Sequence, residues 1–171
     1  MATELYDLTV PALLRGFAAM AAFLDKGRAW ADEQGMAHGE LIEARLFPDM
    51  APLTGQVQRA SDTAKLALVR IGGVENVPMA DDETSFAELQ ARIARTVDFI
   101  KSVPRTAIDG KEAAEVILQT PHGGMSFTGL SYVQGFLLPN FYFHVTTAYA
   151  ILRMKGVPVG KLDYLGAASP A

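Results

Sequence analysis

A chain of 171 residues and 18.4 kDa has the length of one ordinary domain. Half of its residues are hydrophobic and 20% are charged, enough apolar material for a continuous core and too much for a disordered tail. A net charge of −4 with a pI near 5.3 argues against a nucleic-acid binder or a basic membrane-surface protein, and the absence of cysteine excludes disulfides, thiolate metal ligands and cysteine nucleophiles.

Glu4 and Asp7 give the first residues the wrong sign for a signal peptide, and the most apolar run, residues 129–138, is shorter than the ~20 residues that span a bilayer. The expectation is a soluble, cytoplasmic protein with one domain over residues 1–171. Its mean hydropathy of +0.16 is high for a monomer of this size, and this points to apolar surface covered by a second copy in a homodimer.

In chain order, Thr9-Val10-Pro11 reads as a helix start, followed by a stripe of Leu13, Phe17, Met20 and Leu24 and a C-cap at Gly35. Residues 39–46 predict one or two helical turns, and Phe47-Pro48-Asp49 a stop. Leu53, Val57, Ala60, Ala64, Leu68 and Ile71 mark a second long helix closed by Gly72-Gly73. Residues 76–82 read as a loop. Thr84 or Ser85 caps a third helix with Phe86, Leu89, Ile93, Val97 and Ile100 inside and a Glu88–Arg92 pair on its outer face, and Pro104 ends it.

From Ala107 to Thr128 the periodicity changes. Val116, Leu118 and Thr120 alternate, residues 121–124 turn, and Met125 to Phe127 return, which predicts a two-stranded hairpin. Thr128-Gly129 opens a last long helix running to Lys155, with an irregularity expected where Pro139 deprives the Gly135 carbonyl of its partner. The tail from Val159 to Ala171 reads as irregular chain pinned by Leu162, Tyr164 and Leu165. The predicted fold is all-α, an up-and-down four-helix bundle with a small β-hairpin between helices 3 and 4.

Strong catalytic motifs are lacking. Residues 156–162 resemble a phosphate loop, but one residue is missing between the glycines and Leu162 replaces the magnesium-binding Ser/Thr. Residues 124–128 lack the second glycine of a nucleophile elbow. His38 and His122 fall in a connection and at the hairpin tip and read as ordinary loop histidines, and the acidic runs Asp32-Glu33 and Asp81-Asp82-Glu83 read as solvated surface.

His144 is different. With Asn140 four residues before it, it interrupts an apolar stripe of the last helix, and Thr147 follows nearly one turn on. Buried polar groups need partners. The second helix offers Gln58 and Asp62, and Asp62 beside His144 would fix the ring tautomer and raise the imidazole pKa. Gln58, Asp62, Asn140 and His144 thus form the candidate pocket, with His144 and Asp62 the candidate catalytic pair. A hydrogen-bonded network that only fixes helix register carries equal weight. The aromatics Phe136, Phe141, Tyr142, Phe143 and Tyr149 are too many for one core face; ordinary core and dimer packing is the first reading of them, ahead of a pocket or cofactor lining.

Residues 7–11, 45–50, 56–58 and 62–65, the segment Leu138-Pro139-Asn140-Phe141-Tyr142-Phe143-His144-Val145-Thr146-Thr147-Ala148-Tyr149, and residues 160–166 together resemble an uncharacterised branch of the DinB-like (YfiT-type) superfamily of bacterial four-helix proteins. The resemblance implies a commonly dimeric bundle related to metal-dependent thiol transferases, whose divalent metal is held by one histidine of the second helix and a His-x-x-x-His of the last. Only His144 matches that set. Asn140 stands at the first position of the last-helix motif, and the second helix has no histidine. No cofactor is therefore expected, a divalent metal being the weaker alternative. Two functions stay open: a small-molecule-binding protein or divergent thiol-transferase-like enzyme with its pocket at His144, and a non-catalytic, dimeric structural or stress-related protein.

Overall fold

The computed structural model describes residues 4–121 and 123–166. His122 and residues 167–171, on which the sequence reading had placed a hairpin tip and the end of the tail, lie outside the described residues, as do residues 1–3. The chain is mostly helical with one small antiparallel hairpin. Its elements are α1 (Leu5–Gln34), α2 (Gly39–Ile42), α3 (Leu53–Gly72), α4 (Phe86–Ser102), α5 (Arg105–Ile108), β1 (Glu115–Thr120), β2 (Gly123–Thr128), α6 (Gly129–Tyr132), a π-helical turn (Val133–Leu137), α7 (Leu138–Met154) and α8 (Lys161–Leu165). Helix α1 packs against α4 and α7, and α3 packs against the same two; a cluster of buried apolar side chains lies among them. Phe17, Phe23, Met20, Leu53, Leu68, Phe86, Val133 and Phe141 are among its members.

Helix α1 starts five residues earlier than its local signals predict. Thr9 is no cap; its hydroxyl donates to the Leu5 carbonyl inside the helix. The first turn is capped from elsewhere in the chain: Glu112 Oε1 accepts from the Leu5 N–H and Asp109 Oδ1 from the Tyr6 N–H. Pro11 lies inside the helix on its exposed side and has no N–H to offer the Asp7 carbonyl. Among the described residues α1 alone is long and apolar enough to cross a membrane, and half of its most apolar window is buried against the other helices.

The last long helix is opened by a capping box between Thr128 and Ser131, as Thr128-Gly129 predicts. The irregularity expected near Pro139 is the π turn at Val133–Leu137, which widens the chain so that Pro139 begins the next helical segment, where its missing N–H does no harm. The hairpin pairs Glu115 with Thr128 through Thr120 with Gly123, and Val116 and Leu118 turn inward.

Two surface assignments are corrected. Arg92 does not pair with Glu88 on an outer face: it is 2% exposed, and its guanidinium meets Glu83, Asp81 and Asp62 and donates to the Ala80 carbonyl. Glu88 instead closes the cap of α4 with Thr84 and Ser85. The acidic run is accordingly not all solvated, since Glu83 is largely buried against Arg92 and Gln58. Lys65, buried in α3, donates to the Val77 carbonyl, so two buried cations hold the 73–85 connection down. The tail is also more ordered than expected. Residues 161–165 form α8, tied to α1 by a 2.5 Å Lys26–Asp163 ion pair, while Leu162 and Leu165 are exposed and only Tyr164 packs inward, against Tyr149.

Candidate functional site

Helices α3 and α7 run antiparallel, and three contacts set their register. Gln56 meets His144, Thr63 meets Asn140, and Arg70 reaches Tyr132 at the start of the last helical segment. Along their seam lies a groove of about 220 Å³, walled by Leu66, Leu118 and Phe136 and bearing the polar groups of Arg59, Asp62, Thr63, Arg70, Asn140 and His144. Asp62, Asn140 and His144 therefore share one groove. Gln58 does not: it lines a larger, open and acid-rich groove of about 550 Å³ on the far side of Arg59, and its amide is engaged by Glu83.

His144 is 8% exposed. Its Nδ1 lies 2.8 Å from Oε1 of Gln56, whose own amide nitrogen donates to the Ala51 carbonyl at 2.9 Å. That second bond fixes which end of the amide faces the ring. The Gln56 oxygen can only accept, so Nδ1 carries the proton and Nε2 carries the lone pair. No hydrogen bond reaches Nε2 among the described residues.

The expected role of Asp62 is overturned. Its carboxylate is shared by Arg92 at 3.2 Å and Lys65 at 3.3 Å, so it orients two cations and not the imidazole. The His144 pKa is lowered to about 4, first by burial and then by the positive charge of nearby Arg59, the reverse of the rise a neighbouring carboxylate would bring. The ring is neutral at pH 7. Asn140 donates its amide N–H to Thr63 Oγ1 at 3.0 Å, and Thr147 donates to the Phe143 carbonyl within its own helix.

The donor set does not fit the divalent metal implied by the superfamily resemblance. Nε2 of His144 is a good ligand, but Asn140 is an amide already bonded to Thr63, and the Asp62 charge is held by two cations. Among the described residues no three His, Cys, Asp or Glu side chains come together in a way that could hold a metal ion.

Gln56, Arg59 and Arg70 are site residues that the sequence reading missed. For Gln56 a signal existed, because it falls between Leu53 and Ala60 on the buried stripe of α3, where a polar side chain must have a specific partner.

The model of a domain of unknown function, DUF1993, matches residues 5–165 of the chain. The chain belongs to the DUF1993 family. It is also similar to a solved crystal structure of a DinB family member protein from Shewanella denitrificans, with 37% identity and a TM-score of 0.89 over 98% of this chain and 95% of that one. This DUF1993 chain is thus a DinB-like domain. No curated protein matches it.

Proposed function

We propose that this DUF1993 protein binds a small organic molecule in the α3/α7 groove at His144, as a divergent, thiol-transferase-like relative of the DinB metalloenzymes that works without a closed metal centre. In this reading residues 1–171 are one domain and the four long helices an up-and-down four-helix bundle. The observation that carries it is the unshared Nε2 lone pair on a buried ring whose tautomer is fixed by Gln56 and the Ala51 carbonyl. A pKa of about 4 makes the ring a weak base and a competent hydrogen-bond acceptor at neutral pH, which suits holding an O–H, N–H or S–H donor better than abstracting its proton. Imidazole-nitrogen NMR under a screen of small alcohols, amines and acids tests it. Shifts of the His144 Nε2 signal that disappear in His144→Ala support ligand binding. A silent Nε2 signal, with His144→Ala only less stable, supports a non-catalytic role.

A second reading, a dimeric structural or stress-related protein, is favoured by a different observation. The groove at His144 is smaller than the ~300 Å³ of ordinary ligand sites. The outer face of α7 is by contrast broad and apolar, with Phe143 55% exposed beside a groove of about 480 Å³. We read that face as the homodimer contact under either function.

A further inference from the structure

The charges around the α3/α7 groove do not balance. Asp62, its one carboxylate, is already shared by Arg92 and Lys65. Arg59 makes no hydrogen bond or ion pair among the described residues, and Arg70 has only the neutral Tyr132 hydroxyl at 3.0 Å. Two guanidinium groups thus border this groove with no carboxylate bonded to them, the acidic side chains of the larger groove lying on the far side of Arg59. Arg59 stands at the His144 end, close enough for its charge to depress protonation of the ring. An imidazole that presents a lone pair beside an unpaired guanidinium matches a ligand carrying the opposite pair, a hydrogen-bond donor adjacent to an anionic oxygen. The Leu66, Leu118 and Phe136 walls leave room for a short apolar chain beyond it.

We propose that this groove takes a small 2-hydroxy carboxylate-type acid, its carboxylate on Arg59 and its hydroxyl donating to Nε2 of His144. Guanidinium favours planar carboxylate through two parallel N–H donors, whereas a neutral alcohol would gain only the Nε2 contact. The assignment rests on the reading that the His144 groove is a ligand site and adds the charge and chemical class of what enters it.

Titrations of the full chain with 2-hydroxybutanoate, butanoate and butan-2-ol at pH 7 and equal ionic strength, followed on the His144 Nε2 resonance, test it. The hydroxy acid is expected to bind about tenfold or more tightly than either single-function analogue. The Arg59→Gln variant should bring it down to the level of the alcohol, and Arg28→Gln, a charge control on the exposed side of α1, should leave it unchanged. Equal affinity for hydroxy acid and alcohol, or indifference to Arg59→Gln, overturns the anion assignment while the groove stands as a ligand site. If none of the three probes moves Nε2 while a neutral or cationic compound does, the class is wrong. If nothing moves it, both readings fall.

Discussion

His144 and Gln56 are separated by 88 residues in the chain and joined by a 2.8 Å hydrogen bond. The bond is directional because the other end of the Gln56 amide is held by the Ala51 carbonyl, one residue before the proline that precedes α3. A backbone carbonyl at a helix start thereby decides which nitrogen of a ring on another helix carries the proton.

The buried ring makes stability depend on pH in a defined direction. The unfolded chain binds a proton on this histidine near its ordinary pKa of 6.5, and the folded chain only near 4. The stabilisation from the neutral ring is complete above pH 6.5 and is lost as pH falls toward 4. Urea unfolding between pH 7 and 4.5 should show a loss of about 2–3 kcal/mol that His144→Gln, which does not titrate, lacks. Parallel pH profiles for the two proteins would refute this.

Replacing Gln56 by glutamate should reverse the shift. A carboxylate at the position of Oε1 would stabilise the imidazolium that the amide cannot, and the His144 pKa should rise to about 6 or higher. NMR titration of the ring measures it directly. Gln56→Ala leaves the Nδ1 proton and the Ala51 carbonyl without partners and should destabilise the protein by about 1–3 kcal/mol.

Much of the fold is legible in the sequence because its signals are local. The stripe from Leu53 to Ile71, the Ser85 cap, the Thr128 cap and the Pro139 irregularity each depend on residues within a turn or two of one another. The start of α1 was misplaced because its caps, Glu112 and Asp109, arrive from more than 100 residues away. Arg92 misled for a related reason. At helical spacing from Glu88 it resembles an ordinary surface pair, and only the fold of the 73–85 connection brings Glu83 and Asp81 onto it. At the site, the spacing of Asn140 and His144 identified the inward face of α7, but the rotation of α3 that selects Gln56 over Gln58 and Asp62 is a tertiary property.

Arg92 should be among the most sensitive positions of the molecule. Its head group is buried and offsets Glu83 and Asp62 while bonding the Ala80 carbonyl. Arg92→Ala would leave the mostly buried Glu83 carboxylate with the neutral Gln58 amide and no counter-charge, and should destabilise by about 3–5 kcal/mol, with amide exchange in residues 76–84 rising first. Arg92→Lys, which keeps the charge but cannot reach several acceptors at once, should fall between Ala and wild type.

Two glycines of the last helical segment should respond oppositely to alanine. A Cβ at Gly129 would fall onto the Lys111 carbonyl oxygen, a backbone atom that cannot step aside, so Gly129→Ala should lower stability by about 1–3 kcal/mol. A Cβ at Gly135 meets nothing within 4 Å, and Gly135→Ala should be neutral or stabilising by up to about 1 kcal/mol. Thermal melts of both variants check the contrast.

The outer face of α7 should govern the oligomeric state. No Asp, Glu, Lys or Arg occurs between Gly129 and Leu152, so this helix lacks the charged outer side that keeps a surface helix in water. Phe143 is 55% exposed, and Leu46, Pro139, Tyr142 and Thr146 line a groove with it. A two-fold axis near Phe143 would place α7 against its copy and cover the same patch on both chains. Light scattering at micromolar concentration should then give twice the chain mass. Phe143→Glu, which adds charge to the patch without touching the core, should give a monomer with an unchanged circular dichroism spectrum. Phe47→Glu is the comparison, since Phe47 is 64% exposed yet does not line that groove, and it should leave the dimer intact. A wild-type monomer at high micromolar concentration, or dimers in all three proteins, would remove this face from the interface.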